Sequence, residues 1–132
     1  MFSLNDSMRF YLFSEPTDMR KSFFTLSGIV QNKMGRDLVN GDVYIFINRD
    51  RNRIKLLHME PGGLVIYSKI LDIGRLNFPK GADLAQVVCS IEWSDLVCMV
   101  EGIVENPGQR LRRLRALKPL VQPSLFLEEK RP

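Results

Sequence analysis

In the stretch NRDRNRIK, Arg49, Arg51, Arg53 and Lys55 recur at every second position. An extended chain puts alternate residues on one face, so the row would set its cations side by side, an arrangement that can follow a phosphate backbone. The turn-prone run NRDRN at residues 48–52 interrupts the row. A hairpin tip there leaves Arg53 and Lys55 on a strand and lets Arg49 and Arg51 project from a mobile loop. The competing reading is a charged tip that keeps a sheet end soluble.

A second cationic pair lies in PTDMRKSFF, residues 16–24. The segment reads as a helix start, with Thr17 as the cap and Asp18 in the first turn. Arg20 and Lys21 then sit where the backbone N–H groups already carry partial positive charge, the end that cations normally avoid. Either an outside anion is held there, as phosphates are at helix N-termini, or Glu15 and Asp18 neutralise the pair locally.

The third basic element is QRLRRLRALK. Asn106, Pro107 and Gln109 supply a cap residue, a proline at the first helical position and a capping-box partner. Leu111, Leu114 and Leu117 form a narrow stripe, and Arg110, Arg112, Arg113 and Arg115 occupy the rest of the circumference. These arginines could lie against an acidic helix at residues 92–101 of the same chain or of a second copy. Their surplus over that acidic face favours a nucleic-acid backbone or another protein.

Chemistry of other kinds finds little support. There is no Gly-rich phosphate loop, no paired Cys or His ligand spacing and no nucleophile elbow, so no catalyst, metal or cofactor is expected. His58 falls in an apolar strand pattern and reads as a satisfied core or edge residue. Asp18, Asp37, Asp42, Asp50 and Asp72 lie mostly at expected turns and caps, where Asp bonds its own backbone. Cys89 and Cys98 match neither a disulfide framework nor a zinc spacing and read as reduced core thiols.

With 132 residues, 45% of them hydrophobic, the chain suits one α+β domain at residues 1–105, followed by a basic helix and irregular tail at 106–132. No apolar run is long enough for a membrane span and no charged start precedes an apolar core, so a cytoplasmic location is expected. The net charge of +4 is unevenly spread: 0 over residues 1–48, +4 over 49–80, −5 over 81–105 and +5 over 106–132. Such alternation suits a polyanionic partner such as DNA, or basic and acidic elements that meet within a chain or between the copies of a homo-oligomer.

The elements that must position these residues follow from periodicity. MRFYLFS, residues 8–14, reads as a short strand. From Asp18 to about Met34, apolar Met19, Phe23, Leu26, Val30 and Met34 fall on one helical face, which should bury Phe23, Leu26 and Val30 against a sheet. Residues 43–47, 54–59 and 64–69 read as antiparallel strands, joined by the polar 48–52 turn and by PGG. A further strand is expected at 75–78, and residues 86–91 fit a strand or a helix start. Residues 92–101 read as a helix with Leu96, Met99 and Val100 inward. The expected fold is thus an antiparallel sheet of about four to five strands packed by an N-terminal helix, with two C-terminal helices.

In order along the chain, TDMRK, GRD before a strand, RIK leading to a Pro-Gly-Gly turn, YSK, GRLNFP and LVCMVEGI resemble one family. It is the TnpB-type accessory protein, the second open reading frame of insertion sequences of family sixty-six. Asp18, Met19, Arg20, Lys21 and Phe23 match its first motif, with Ser22 in a Gly position, and Ile54 and Lys55 match the second. Lys69, Leu71, Gly74, Arg75, Phe78 and Pro79 match the third, and Glu101, Gly102 and Ile103 the last. The resemblance spans roughly residues 8–103, short of Arg110 to Arg115. It implies a small non-catalytic protein required for mobility of the element, while a separate transposase cuts and joins DNA. Arg20, Lys21, Arg49, Arg51, Arg53, Lys55, Lys69 and Arg75, and on their charge alone Arg110, Arg112, Arg113 and Arg115 of the last helix, are expected to contact DNA phosphates. The alternative is an adaptor that docks on the transposase without binding DNA.

Overall fold

The computed structural model describes residues 4–101. The elements run β1 (Phe10–Phe13), α1 (Phe23–Asn32), a single 3-10 turn (Leu38–Asn40), β2 (Val43–Ile47), β3 (Arg53–Glu60), β4 (Gly63–Ile70), β5 (Val88–Ile91) and α2 (Trp93–Glu101). The strands form one sheet of five in the order β4-β3-β2-β1-β5. The basic helix expected after Asn106 and the 105/106 boundary lie outside the described residues.

β2 is buried along its whole length, as a central strand covered on both faces must be, and its residues VYIFI are all β-branched or aromatic. Alternation divides them. Val43, Ile45 and Ile47 join Phe10, Leu12, Ile54, Leu56 and the inward side of α2, namely Leu96, Met99 and Val100. Tyr44 and Phe46 join Phe13, Leu57 and the inward side of α1, Leu26 and Val30. Truncating Leu26, fully buried, to Ala should cost about 2–5 kcal/mol.

The hairpins are antiparallel as the sequence suggests, β2 with β3 and β3 with β4. Pro61 and Gly62 make the second turn, with Gly62 at φ 95°, the conformation that favours glycine there. The sheet is nonetheless mixed, because β1 runs parallel to β2 with Phe10 opposite Val43. Chain returning through α1 between these strands makes a crossover, and a crossover joins parallel neighbours. On its other side β1 pairs antiparallel with β5, which resolves residues 86–91 toward a strand.

Other expectations need correction. α1 begins at Phe23, later than Asp18, and the apolar stripe fails at its first turn: Phe23 is 42% exposed. Residues 75–78 form no strand. Gly74 at φ 80° turns the chain, Leu76 drops into the core, and its N–H bonds to the Arg51 carbonyl at 2.6 Å. Cys89 is buried, and burial raises its thiol pKa, but Cys98 is exposed on α2, about 200° around the helix from buried Leu96. His58 is buried, yet its Nδ1 has no hydrogen-bond partner, so it is not the satisfied histidine the pattern suggested.

Candidate nucleic-acid interface

Residues 16–21 are held against the end of β2 by backbone bonding. Thr17 is buried, its N–H donates to the Ile47 carbonyl at 2.8 Å and its hydroxyl to the Glu15 carbonyl at 3.4 Å, and the cap position of α1 falls to Ser22 instead. Asp18 instead closes a local turn: its Oδ1 accepts from the Arg20 N–H at 2.9 Å, and its carbonyl accepts from the Lys21 N–H at 3.1 Å. The same carboxylate grips the Arg20 guanidinium through Nε at 3.1 Å and Nη2 at 2.6 Å. The side-chain bonds to Arg20, then the Arg20 N–H, hold the Asp18 carboxyl well below the usual carboxylate range, and Asp18 raises Arg20 in turn. α1 then opens at Ser22, whose hydroxyl makes no capping bond. From the sheet, the Lys55 ammonium donates to the Lys21 carbonyl.

Across from this segment stands the β2–β3 hairpin tip, which is clamped. Asn48 Oδ1 accepts from the Asn52 N–H at 3.0 Å and the Arg53 N–H at 2.9 Å, while Asn48 Nδ2 donates to Asn52 Oδ1 at 2.7 Å. The Asn52 carbonyl also accepts from the Leu71 N–H at 2.7 Å. The tip is therefore bonded on both sides, contrary to the mobile loop expected from NRDRN. Arg51 takes a left-handed φ of 56°, and its guanidinium carbon lies 5.5 Å from the Phe78 ring centroid. That turn breaks the alternate-residue row.

Between the two segments lies an open groove of about 640 Å³. One wall carries Arg20 and Lys21 with Asp18, and the other carries Arg49 and Arg53 with Asp50. Four cations from separate parts of the sequence thus meet two carboxylates, and one of those, Asp18, is already committed to Arg20. An extended polyanion fits such a trough better than a small neutral ligand does.

The remaining expected contacts disperse. Lys55 pairs with Ser68 and Lys69 with Ile54 across the β3–β4 register, which puts the two lysines on opposite faces of the sheet. Lys69 donates to the Val100 carbonyl at 2.6 Å in the last turn of α2, a helix-end contact away from the groove. Arg75 is exposed and outside the groove lining. Arg110, Arg112, Arg113 and Arg115 lie outside the described residues. The sequence reading missed the Asn48–Asn52 clamp that fixes one wall; asparagines at both ends of NRDRN were its only trace. Among the described residues no group of three His, Cys, Asp or Glu could hold a metal ion, and no helix is long and apolar enough to cross a membrane.

Comparison with known proteins agrees with the motif order. The chain is 25% identical over 97 residues to the uncharacterized protein y4jC of Sinorhizobium fredii, a match covering 74% of this chain and 83% of that protein. It is 24% identical over 102 residues to the uncharacterized protein y4hO of the same organism, covering 70% and 89%. No solved structure is significantly similar. The family model for the IS66 Orf2 like protein, TnpB_IS66, matches residues 8–110 and so takes in both walls of the groove and every described strand; the chain belongs to that insertion-sequence family.

Proposed function

We propose that this protein is a non-catalytic accessory factor of insertion-sequence transposition that binds DNA by phosphate contacts in the groove between residues 16–21 and the 48–53 hairpin tip, and so assists a separate transposase. The observation that carries the reading is the meeting of Arg20, Lys21, Arg49 and Arg53 along one open trough. Hydrogen bonds hold the backbone of both walls before any ligand arrives, so binding orders only the side chains that the walls carry, which lowers its cost. Family membership supplies the context, an element that must be mobilised as DNA. Binding of this kind positions a protein on DNA and reads little sequence.

The test is a salt titration of DNA affinity for the parent protein and for Arg20→Ala with Lys21→Ala. Affinity should fall steeply with salt, and the double variant should bind more weakly with a log–log slope reduced by about one to two, near one for each lost phosphate contact. Absence of DNA binding at low salt, together with stable capture of the transposase, would replace this reading with that of a protein adaptor.

A further inference from the structure

Phe24 is the second residue of α1 and is 94% exposed, the most exposed of the large apolar side chains among the described residues. It lies about 200° around the helix from buried Leu26, so the sheet cannot take it up. Phe23 beside it is 42% exposed. Single exposed apolar residues are common and need no explanation by themselves. The position of this one is what counts. Lys21, which lines the basic groove, is only three residues earlier, so the two Cα atoms are at most about 11 Å apart.

We propose that Phe24 is a stacking platform for an unpaired base, and that the groove therefore takes single-stranded DNA in preference to duplex. The inference rests on the groove being a DNA site. It adds the form of the DNA. In a duplex the base faces are covered by their neighbours, and an aromatic ring beside the backbone finds no partner. Phe24 does not itself line the trough, but its Cα is at most about 11 Å from that of Lys21, so a single strand whose backbone follows Arg20, Lys21, Arg49 and Arg53 can turn a base beyond the groove onto its ring. Cations along the backbone with an aromatic face for the bases are the recurrent means of holding single strands without reading their sequence. A protein partner would also cover Phe24, but the adjoining cations favour a polyanion.

The experiment is fluorescence anisotropy with one labelled oligonucleotide of mixed sequence, presented as a single strand and as a duplex, using the full chain. The single strand should bind more tightly. Phe24→Ala should weaken single-strand binding by roughly fivefold to a hundredfold, the loss of one stacked base, and leave duplex binding unchanged. The salt slope should stay constant, because no phosphate contact is removed. Phe24→Tyr should restore the affinity, which a merely structural defect would not allow. Equal binding of both forms by the parent protein, or unaltered single-strand binding by Phe24→Ala, overturns the inference and leaves the groove reading standing. Loss of transposase capture in Phe24→Ala with single-strand affinity intact assigns the ring to a protein contact and overturns it as well. Failure of the parent protein to bind either form removes the groove reading and this inference together.

Discussion

The ammonium of Lys55 donates to the carbonyl oxygen of Lys21 across 2.7 Å, joining β3 to the chain just before α1. One lysine thereby holds the backbone that carries another. Lys55 is outside the groove lining, and its bond ties that wall to the sheet.

Lys55→Met keeps most of the aliphatic stem and removes this bond. A hydrogen bond from a charged donor contributes about 1.5–3 kcal/mol, so the lower end of that range is expected in thermal unfolding, the site being only half-buried. DNA affinity should fall as well, through the displaced Arg20 and Lys21. Lys55→Arg, which keeps a donor, should lose less of both.

Asp18 is the carboxylate that occupies Arg20. Replacing it with Asn should take one negative charge from the trough and strengthen the Arg20 contact, raising DNA affinity severalfold with the salt slope unchanged, because Arg20 already counts among the phosphate contacts. Weaker binding by Asp18→Asn would mean that the carboxylate is needed to aim Arg20. The slope measurement separates these outcomes.

The depressed carboxyl of Asp18 also predicts a pH response. Because its folded pKa lies below the unfolded one, its contribution is present above the ordinary carboxylate range and is lost only as the pH falls through the lower folded value. A carboxyl NMR titration should find Asp18 still ionised when exposed carboxylates elsewhere have begun to protonate. Arg20→Ala should return it toward the ordinary range.

At another place on the sheet, buried Asp42 accepts from Arg9 Nε at 3.1 Å and Arg36 Nη2 at 3.3 Å. The Arg36 guanidinium lies 3.8 Å from the Tyr11 ring centroid, and its Nε already has no hydrogen-bond partner. Asp42→Ala would leave this cation half-buried without a carboxylate, with only the Tyr11 ring and the Tyr44 hydroxyl beside it, a change that should cost about 3 kcal/mol in urea unfolding. DNA affinity, referred to the folded fraction, should not change.

What could be read from the sequence was mostly local. β2 and β4 are rich in β-branched and aromatic residues, β3 carries the apolar core Ile54 to Met59, and all three, bounded by polar residues and by Pro61–Gly63, occur almost where expected. The parallel neighbour of β2 was hidden, since nothing within residues 10–13 records which strand they will lie beside. The start of α1 was misplaced because Thr17 and Asp18 both carry capping chemistry. The first turned its hydroxyl back to the Glu15 carbonyl, and the second used its carboxylate for a turn of its own. Of the basic residues, the alternating row suggested a surface of Arg49, Arg51, Arg53 and Lys55, whereas the groove combines Arg49 and Arg53 with Arg20 and Lys21. That grouping depends on two long-range bonds, from the Thr17 N–H to the Ile47 carbonyl and from the Lys55 ammonium to the Lys21 carbonyl, which no local pattern encodes.

The place of β1 between β2 and β5 has a consequence for the order in which the protein can be made. Phe10 is opposite Ile91, so β1 receives its outer neighbour from the last of the described strands to leave the ribosome. At typical rates of about 5–20 residues per second, β1 waits roughly 4–16 seconds for that partner. In the interval β2, β3 and β4 can zip as successive hairpins, but one edge of β1 stays open to any other nascent strand. Sheets completed by such distant pairings form slowly. Newly made chains should therefore depend on chaperones more than the small size of the domain suggests.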